Sequence, residues 1–508
     1  LASDMAARGE GLRSPVRAIG IAAFACHDRH HRGRGSRTDE PQCSDPRETR
    51  SKQMSSTSTI RMSMGSAGVS KLLERVAEGL PEGLLPIEVF NDEAVFQAEM
   101  ERIFAKSWVF VAHESEIRNK GDYVLRRIGL DPVIVSRDDT GQIRVMSNYC
   151  RHRGAQVCQS DHGNTTHFRC PYHGWTFKND GDWAGAPHSS EAYGGRLNGR
   201  EWGLLRAPRV DTYQGFIFAS LSEEGPTLKE FLGGAAWVLD TICGLHPGGL
   251  RVMGVPERTQ VRADWKSGAE NFAGDAYHID TLHFGNEQVK YVEGLRQNND
   301  FANSLVLDGG HSFLCHSFVE MFGPFGEFSG YPPHVKERFD LSKLDETQRD
   351  LARERAASIG NIFPNLGFIR FPAASEAGKP PAVFTSFRQW QPLGPGVMEM
   401  WSWQFTWDFM SDEESVPSYT VGQYNFSSAG IFEQDDTVAW EGARSVAQSV
   451  WNRNVQTRLH YQQGLGGKVE RPADPTWRGP GVLRRKAYGE FGQMNFYAQW
   501  LEMMQKQK

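Results

Sequence analysis

The alternation of apolar and polar positions divides the chain into stretches of different character. Asn91-Asp92-Glu93 supplies capping and acidic residues. Val95, Met100, Ile103 and Phe104 then recur at helical spacing within Ala94–Lys106. Between residues 108 and 220 the pattern changes to short apolar runs separated by turn residues. Trp108–Ala112, Tyr123–Arg127, Pro132–Ser136 and Gly215–Ala219 read as strands, and their density predicts a small β-domain. Helical spacing returns over 226–243. A long C-terminal region then mixes predicted helices (262–280, 346–358 and 488–506) with predicted strands (383–392 and 396–407). The Gly-, Pro- and Phe-rich stretch 322–334 reads as a loop of the kind that covers binding sites. No internal repeat runs through this order, and both helices and strands are expected, an α+β class.

Composition adds exclusions. The 508 residues are 39% hydrophobic and include 14 Trp and 30 Phe, enough for more than one core. No apolar run approaches the length that spans a bilayer, so no membrane helix is expected. The net charge of −6 argues against nucleic acid as a partner. Seven cysteines, an odd number at low density, argue for metal or free thiols over a disulfide scaffold. Residues 1–53 stand apart: nine arginines and Lys52 against seven acids give a net +3. They are expected to be a disordered or misannotated leader, with Met54 or Met62 as the natural start. The apolar run Ala18 to Cys26 behind Arg13 and Arg17 gives a weak signal-peptide reading, without a clean small-residue cleavage site.

The first chemical constellation is Cys150-Arg151-His152 followed by Cys170-Pro171-Tyr172-His173-Gly174-Trp175. Each half offers one thiolate and one imidazole. Zinc fingers group two cysteines and then two histidines. Here the pairs alternate, so two cysteines can hold one iron while two histidines hold the other. The two loops resemble those of the Rieske [2Fe–2S] domain, with a zinc site as the alternative. Respiratory Rieske proteins carry an extra cysteine in each loop. Ala155 and Tyr172 stand at those positions, so the chain resembles the oxygenase type, which implies a lower potential and a reducing cytoplasm. Cys158 nearby reads as a buried small apolar thiol.

The second constellation is Asn271, Asp275, His278 and His283. If Glu270–His278 is helical, positions 271, 275 and 278 share one face. His278 and His283 are then far apart around the axis, so a common metal needs a π-type bulge or a helix that ends between them. Gly285 fits such an ending. The pattern N-x3-D-x-Y-H-x4-H resembles the iron site of Rieske non-haem oxygenases. The form is that of the large (α) subunit of aromatic ring-hydroxylating dioxygenases, the naphthalene/biphenyl dioxygenase type, over about residues 85–505. The resemblance implies His278 and His283 as iron ligands. It implies Asp436, beside Asp435, as the carboxylate that completes a 2-His-1-carboxylate triad. It implies a role for Asp275 in bridging His173 of one subunit to His278 of the next, and places Asn271 near the iron.

The same resemblance implies a Rieske β-domain (107–227) beside a catalytic domain (228–508) with an antiparallel sheet flanked by helices, of START/helix-grip type. Residues 54–106 are expected to form an N-terminal helical segment packing on the catalytic domain. It implies a β subunit in an α3β3 assembly, and NADH acting indirectly through a separate reductase with a ferredoxin. No nucleotide-binding G-x-G-x-x-G occurs in a strand-to-helix context in this chain. The expected reaction is cis-dihydroxylation of an aromatic ring by dioxygen, on a (polycyclic) aromatic hydrocarbon. Family positions place Phe272, Ala276, Ile279, Ile359, Ile369, Phe426 and Phe432 near the substrate, mostly large and apolar. Arg370 and Arg388 keep an aromatic acid such as phthalate open, although strand alternation turns Arg370 away from the side of Ile369. A Rieske monooxygenase or demethylase shares both metal sites. An electron-transfer protein that uses only the cluster, and a zinc-stabilised binding module, are the readings from other classes.

Overall fold

The computed structural model describes residues 65–289, 300–466 and 470–506. The chain divides into two units, 1–60 and 61–508, and every described residue belongs to the second. The leader 1–53, both candidate start sites and the signal-peptide reading lie outside the described residues.

The β-rich region contains three small antiparallel sheets. Arg209–Tyr213, Phe216–Ser220 and Val109–His113 form one. Ile143–Ser147, Asp131–Arg137, Asp122–Ile128 and His162–Asn164 form the second, in that order. In its strand Asp131–Arg137 the consecutive residues Val133, Ile134 and Val135 are all buried, because both faces are covered. Val133 and Val135 join the main core, while Ile134 packs under Cys150, Cys170 and Trp175. The third sheet, His167–Arg169, Thr176–Lys178 and Trp183–Gly185, holds the second Cys-His loop at the tip of its first hairpin.

The C-terminal region is built on a nine-stranded antiparallel sheet. Its long strand Val397–Trp407 pairs with both Leu250–Val252 and Glu257–Val261 on one side and with Ala382–Gly394 on the other. Leu366–Ala373, Ala356–Ile362, Ser312–His316, Ala302–Val306 and Val482–Arg485 continue the order. Side chains alternate between two cores, as the pleat requires. Ile369, Phe384, Trp390 and Met400 face the helices Trp265–Phe272 and Phe491–Gln505, whereas Phe368, Phe387, Trp403 and Phe405 fill the opposite core. The C-terminal helix comes so close to the chain just beyond Trp265–Phe272 that a Cβ on Gly492 would lie 1.8 Å from the Ala273 carbonyl oxygen.

Glu99 ties three helical segments together. It ends the helix Glu93–Glu99, whose N-cap Asp92 accepts from the Ala94 and Val95 N–H groups, before a wider turn Met100–Phe104. Its buried carboxylate accepts from Lys266 Nζ (2.6 Å), Trp265 Nε1 (2.9 Å) and Trp500 Nε1 (2.8 Å). Each polar atom taken from water there regains a partner.

Several predicted elements differ in the structure. The 262–280 helix stops at Phe272. Gly274, at φ +134, breaks it, and two short turns follow, Ile279–Leu282 and Phe284–Gln288. The 346–358 helix covers only Glu346–Arg353, and Ala356–Ile362 is a strand paired with both neighbours. The 226–243 helix is interrupted at Gly233, at φ +47. The 322–334 stretch is mostly short helical turns, Phe318–Phe322 and Gly323–Gly330, with Phe328 and Ser329 in the left-handed region. Among the described residues, no helix is long and apolar enough to cross a membrane.

Candidate metal centres

The two Cys-His loops are the same turn made twice. Cys150 N–H donates to the Ala155 carbonyl (2.8 Å), and the Cys150 carbonyl accepts from Gly154 (2.9 Å). Cys170 N–H donates to the Trp175 carbonyl (2.8 Å), and the Cys170 carbonyl accepts from Gly174 (3.0 Å). Both glycines have positive φ, +73 and +70, which the turn needs and which other residues resist. The imidazoles of His152 and His173 lie 4.5 Å apart between ring centres, and Trp175 stacks flat on His152 at 5.1 Å. Burial and then the adjacent Cys170 thiol raise the Cys150 thiol above its ordinary pKa. Burial and then His173 lower the pKa of His152, which favours the neutral imidazole that binds metal. The Nδ1 of His152 is buried without a hydrogen-bond partner. The described cysteines Cys150, Cys158, Cys170, Cys243 and Cys315 are all free thiols.

The second centre assembles from two segments. His278 and His283 bracket the short turn Ile279–Leu282, so their rings approach to 5.0 Å. The helix Ile431–Gln448 brings Asp436 to them. Asp436 Oδ1 lies 3.4 Å from His278 Nε2 and 3.5 Å from His283 Nε2, and the three groups could hold one metal ion. Asp436 Oδ1 is itself buried with no hydrogen-bond partner. Both outer nitrogens face carboxylates: His278 Nδ1 lies 3.4 Å from Asp275 Oδ2, and His283 Nδ1 3.2 Å from Asp435 Oδ2. At His283 the hydrogen bond to Asp435 fixes the ring and its tautomer and leaves Nε2 for a metal, whereas His278 Nδ1 faces Asp275 as a charge neighbour without a hydrogen bond. Burial alone would lower the His278 pKa, but Asp275 and then Asp436 carry it up to about 9. A pocket that stabilises one positive charge this strongly also suits a cation.

Asn271 and Asp275 do not share a helix face with His278, because the helix has ended. Asn271 contributes its carbonyl, which accepts the Asp275 N–H (2.9 Å). The orienting role of Asp435 was missed in the sequence, where it reads only as a neighbour of Asp436. An acid next to a candidate ligand acid on a helix is the signal that could have found it.

Most of the expected pocket residues come together. Phe432 packs edge-on against His283 (5.0 Å) and stacks on Phe426 (5.4 Å). Phe272, Ile369, Phe426 and Ile359 belong to one core, Ile359 pairs directly with Ile369, and Ala276 packs with Ile359. Ile279 is buried at the start of the turn between the histidines. The two arginines are already engaged. Arg370 lies on the opposite face, where it donates to Thr385 Oγ1 (2.9 Å) and the Ile242 carbonyl (2.7 Å). Arg388 is paired with Glu433 and the Phe426 carbonyl. Both guanidiniums are thus engaged by groups of the chain itself.

Residues 107–213 match the Rieske [2Fe-2S] domain, and residues 228–506 match the ring hydroxylating alpha subunit (catalytic domain). The chain belongs to the Rieske ring-hydroxylating oxygenase α subunits. As such it is an oxidoreductase with a Rieske [2Fe–2S] domain and a non-haem iron catalytic domain, the α+β fold expected from sequence. The orphaned His152 Nδ1 and Asp436 Oδ1 fit those two groups. The oxygenase is 49% identical over 441 residues to the N,N-dimethyl phenylurea N-demethylase subunit alpha of Sphingobium sp. (strain YBL2), covering 86% of this chain and 95% of that protein. It is 31% identical over 429 residues to the large oxygenase component of the naphthalene 1,2-dioxygenase system of Pseudomonas aeruginosa, covering 80% and 89%. The crystal structure of naphthalene 1,2-dioxygenase from Rhodococcus sp. bound to indole superposes with a TM-score of 0.79 at 35% identity, covering 86% of this chain and 97% of that one.

Proposed function

We propose that this oxygenase removes an N-methyl group from an uncharged N,N-dimethyl aryl urea by monooxygenation. The observation that carries the substrate class is the neutralised wall. Arg388, whose guanidinium lies over Phe272 and Phe426, is paired with Glu433, so the aromatic surface offers no net charge to an acid. A flat neutral molecule suits that surface, and the 49% identity to an N-demethylase α subunit favours a urea among neutral aromatics.

The proposed metal ligands are supported by the closeness of His278, His283 and Asp436 and by the paired Cys-His loops. Cys150, His152, Cys170 and His173 would hold the cluster, and His278, His283 and Asp436 would hold Fe(II). When bound, these groups supply single electrons and a site where dioxygen is reduced. The protein's own contribution is orientation. Asp435 orients the His283 imidazole through a hydrogen bond, Asp275 places a negative charge beside His278, and Phe426 and Phe432 form an apolar wall beside His283. NADH provides the electrons through a separate reductase and ferredoxin, in a reducing cytoplasm. An α3β3 assembly places His173 of one copy against Asp275 of the next. One oxygen atom leaves as water and the other as formaldehyde, giving the monomethyl urea.

Ring cis-dihydroxylation is the second reading, favoured by the fit to naphthalene 1,2-dioxygenase and by the phenylalanine-rich wall. Supplying the purified oxygenase with ferredoxin, reductase, NADH and labelled dioxygen separates the two. N,N-dimethyl-N′-phenylurea is expected to yield formaldehyde and the monomethyl urea in equal amounts. A dihydrodiol carrying two labelled oxygens from naphthalene, with the urea untouched, would reverse the order of the readings.

A further inference from the structure

We propose that Arg388 is a positioning residue, a clamp that pins the corner carrying Phe426, Phe432 and Asp436 to the central sheet. The inference rests on Asp436 being an iron ligand.

The corner joins the helices Asp412–Phe426 and Ile431–Gln448 through four residues. It is tight: the Gly430 N–H donates to the Ser427 carbonyl (2.8 Å), and a Cβ on Gly430 would meet the Asn425 carbonyl oxygen at 2.4 Å. Phe426 ends the first helix. Glu433 lies in the first turn of the second, and Asp436 follows three residues later on the same side of that helix. Arg388 rises from the strand Ala382–Gly394 between them. One guanidinium nitrogen, Nη1, donates to Glu433 Oε2, and the other, Nη2, donates to the Phe426 carbonyl. The planar fork thus spans both helix ends, which a point charge cannot do. Its flat face lies 5.6 Å from Phe272 and 5.1 Å from Phe426, so the same group also sets the aromatic wall.

Stability alone does not explain the pair. Both side chains are almost fully buried, at 0% and 1% exposure, so both lose their hydration. Arg388 Nε and Glu433 Oε1 are buried with no hydrogen-bond partner. Buried ion pairs of this kind are commonly matched or exceeded in stability by apolar residues of similar volume. What apolar residues lack is direction. A guanidinium bonded to two helix ends fixes the distance from sheet to corner, and with it the place of the Asp436 carboxylate relative to His278 and His283.

The test compares two variants by chelator challenge of the holoenzyme, reading the release rate of the non-cluster iron alongside thermal unfolding. The double variant Arg388→Met/Glu433→Leu is expected to unfold near the wild-type temperature yet release its mononuclear iron about tenfold faster or more, the usual cost of losing outer support at a metal site. Arg388→Lys keeps the charge but not the fork, and is expected to release iron at a rate between the two. A folded double variant with wild-type release would overturn the clamp. If the double variant does not fold, wild-type release from Arg388→Lys overturns it equally. Asp436→Ala serves as the control for the underlying reading. If it retains iron like the wild type, the ligand assignment fails, whatever the clamp variants do.

Discussion

Glu270 shows how a single side chain can give the molecule a pH dependence. Its Oε2 accepts from the hydroxyls of both Tyr461 (2.8 Å) and Tyr497. Burial pushes its carboxyl up from 4.5 to about 7, against the lowering effect of the two tyrosines, with Asp275 adding to the rise. The folded chain therefore holds that proton more tightly than the unfolded chain. The proton's contribution to stability is present below about pH 4.5 and is lost as the pH climbs to about 7, by up to about 3 kcal/mol. Glu270→Gln keeps an acceptor and removes the titration. Its melting temperature is expected to fall less than the wild type's between pH 5 and pH 7, and parallel curves would refute the assignment. At this scale the candidate histidines and cysteines were legible in the sequence, because Cys-x-His and His-x4-His are local arrangements. Their supports were not. Arg388 and Glu433 are 45 residues apart, and Glu99 is 167 residues from Lys266. Nothing in a local pattern announces that two charges so distant will share one buried position.

Helices and strands were legible where their period was long and uninterrupted. The two long central strands, Ala382–Gly394 and Val397–Trp407, fall where the alternation put them. The segment of His278 and His283 did not, because apolar spacing continued through a glycine whose backbone leaves the helical region. Gly274 sits where Trp265–Phe272 meets the C-terminal helix, and Gly492 makes that meeting possible. Gly492→Ala would drive a methyl group into the Ala273 carbonyl. Backbone must shift to accept it, at a cost of about 2–3 kcal/mol. The expected outcome is a lower thermal midpoint, with the cluster's absorbance at room temperature unchanged because the Cys-His loops are remote in the chain. An unaltered midpoint would mean that the two backbones are not in contact.

At the scale of the molecule, the centres lie on different parts of one polypeptide. His152, His173 and Asp275 are each only partly buried in the single chain. Asp275 keeps 34% of its side chain exposed even while facing His278. This is the disposition expected if a neighbouring copy completes the electron path. The two centres can be disabled separately, by Cys150→Ser for the cluster and His278→Ala for the iron. If copies form a ring in which each feeds the next, mixing defective and normal copies makes the two kinds of damage dilute differently. A copy lacking only its iron spoils one reaction site. A copy lacking both centres spoils two, its own and the one it should have fed. In an equal mixture the first poison leaves about half of the turnover and the second about a quarter. Chains that worked alone would lose half in either case, so a simple titration of one population by another reports how far the machinery is shared.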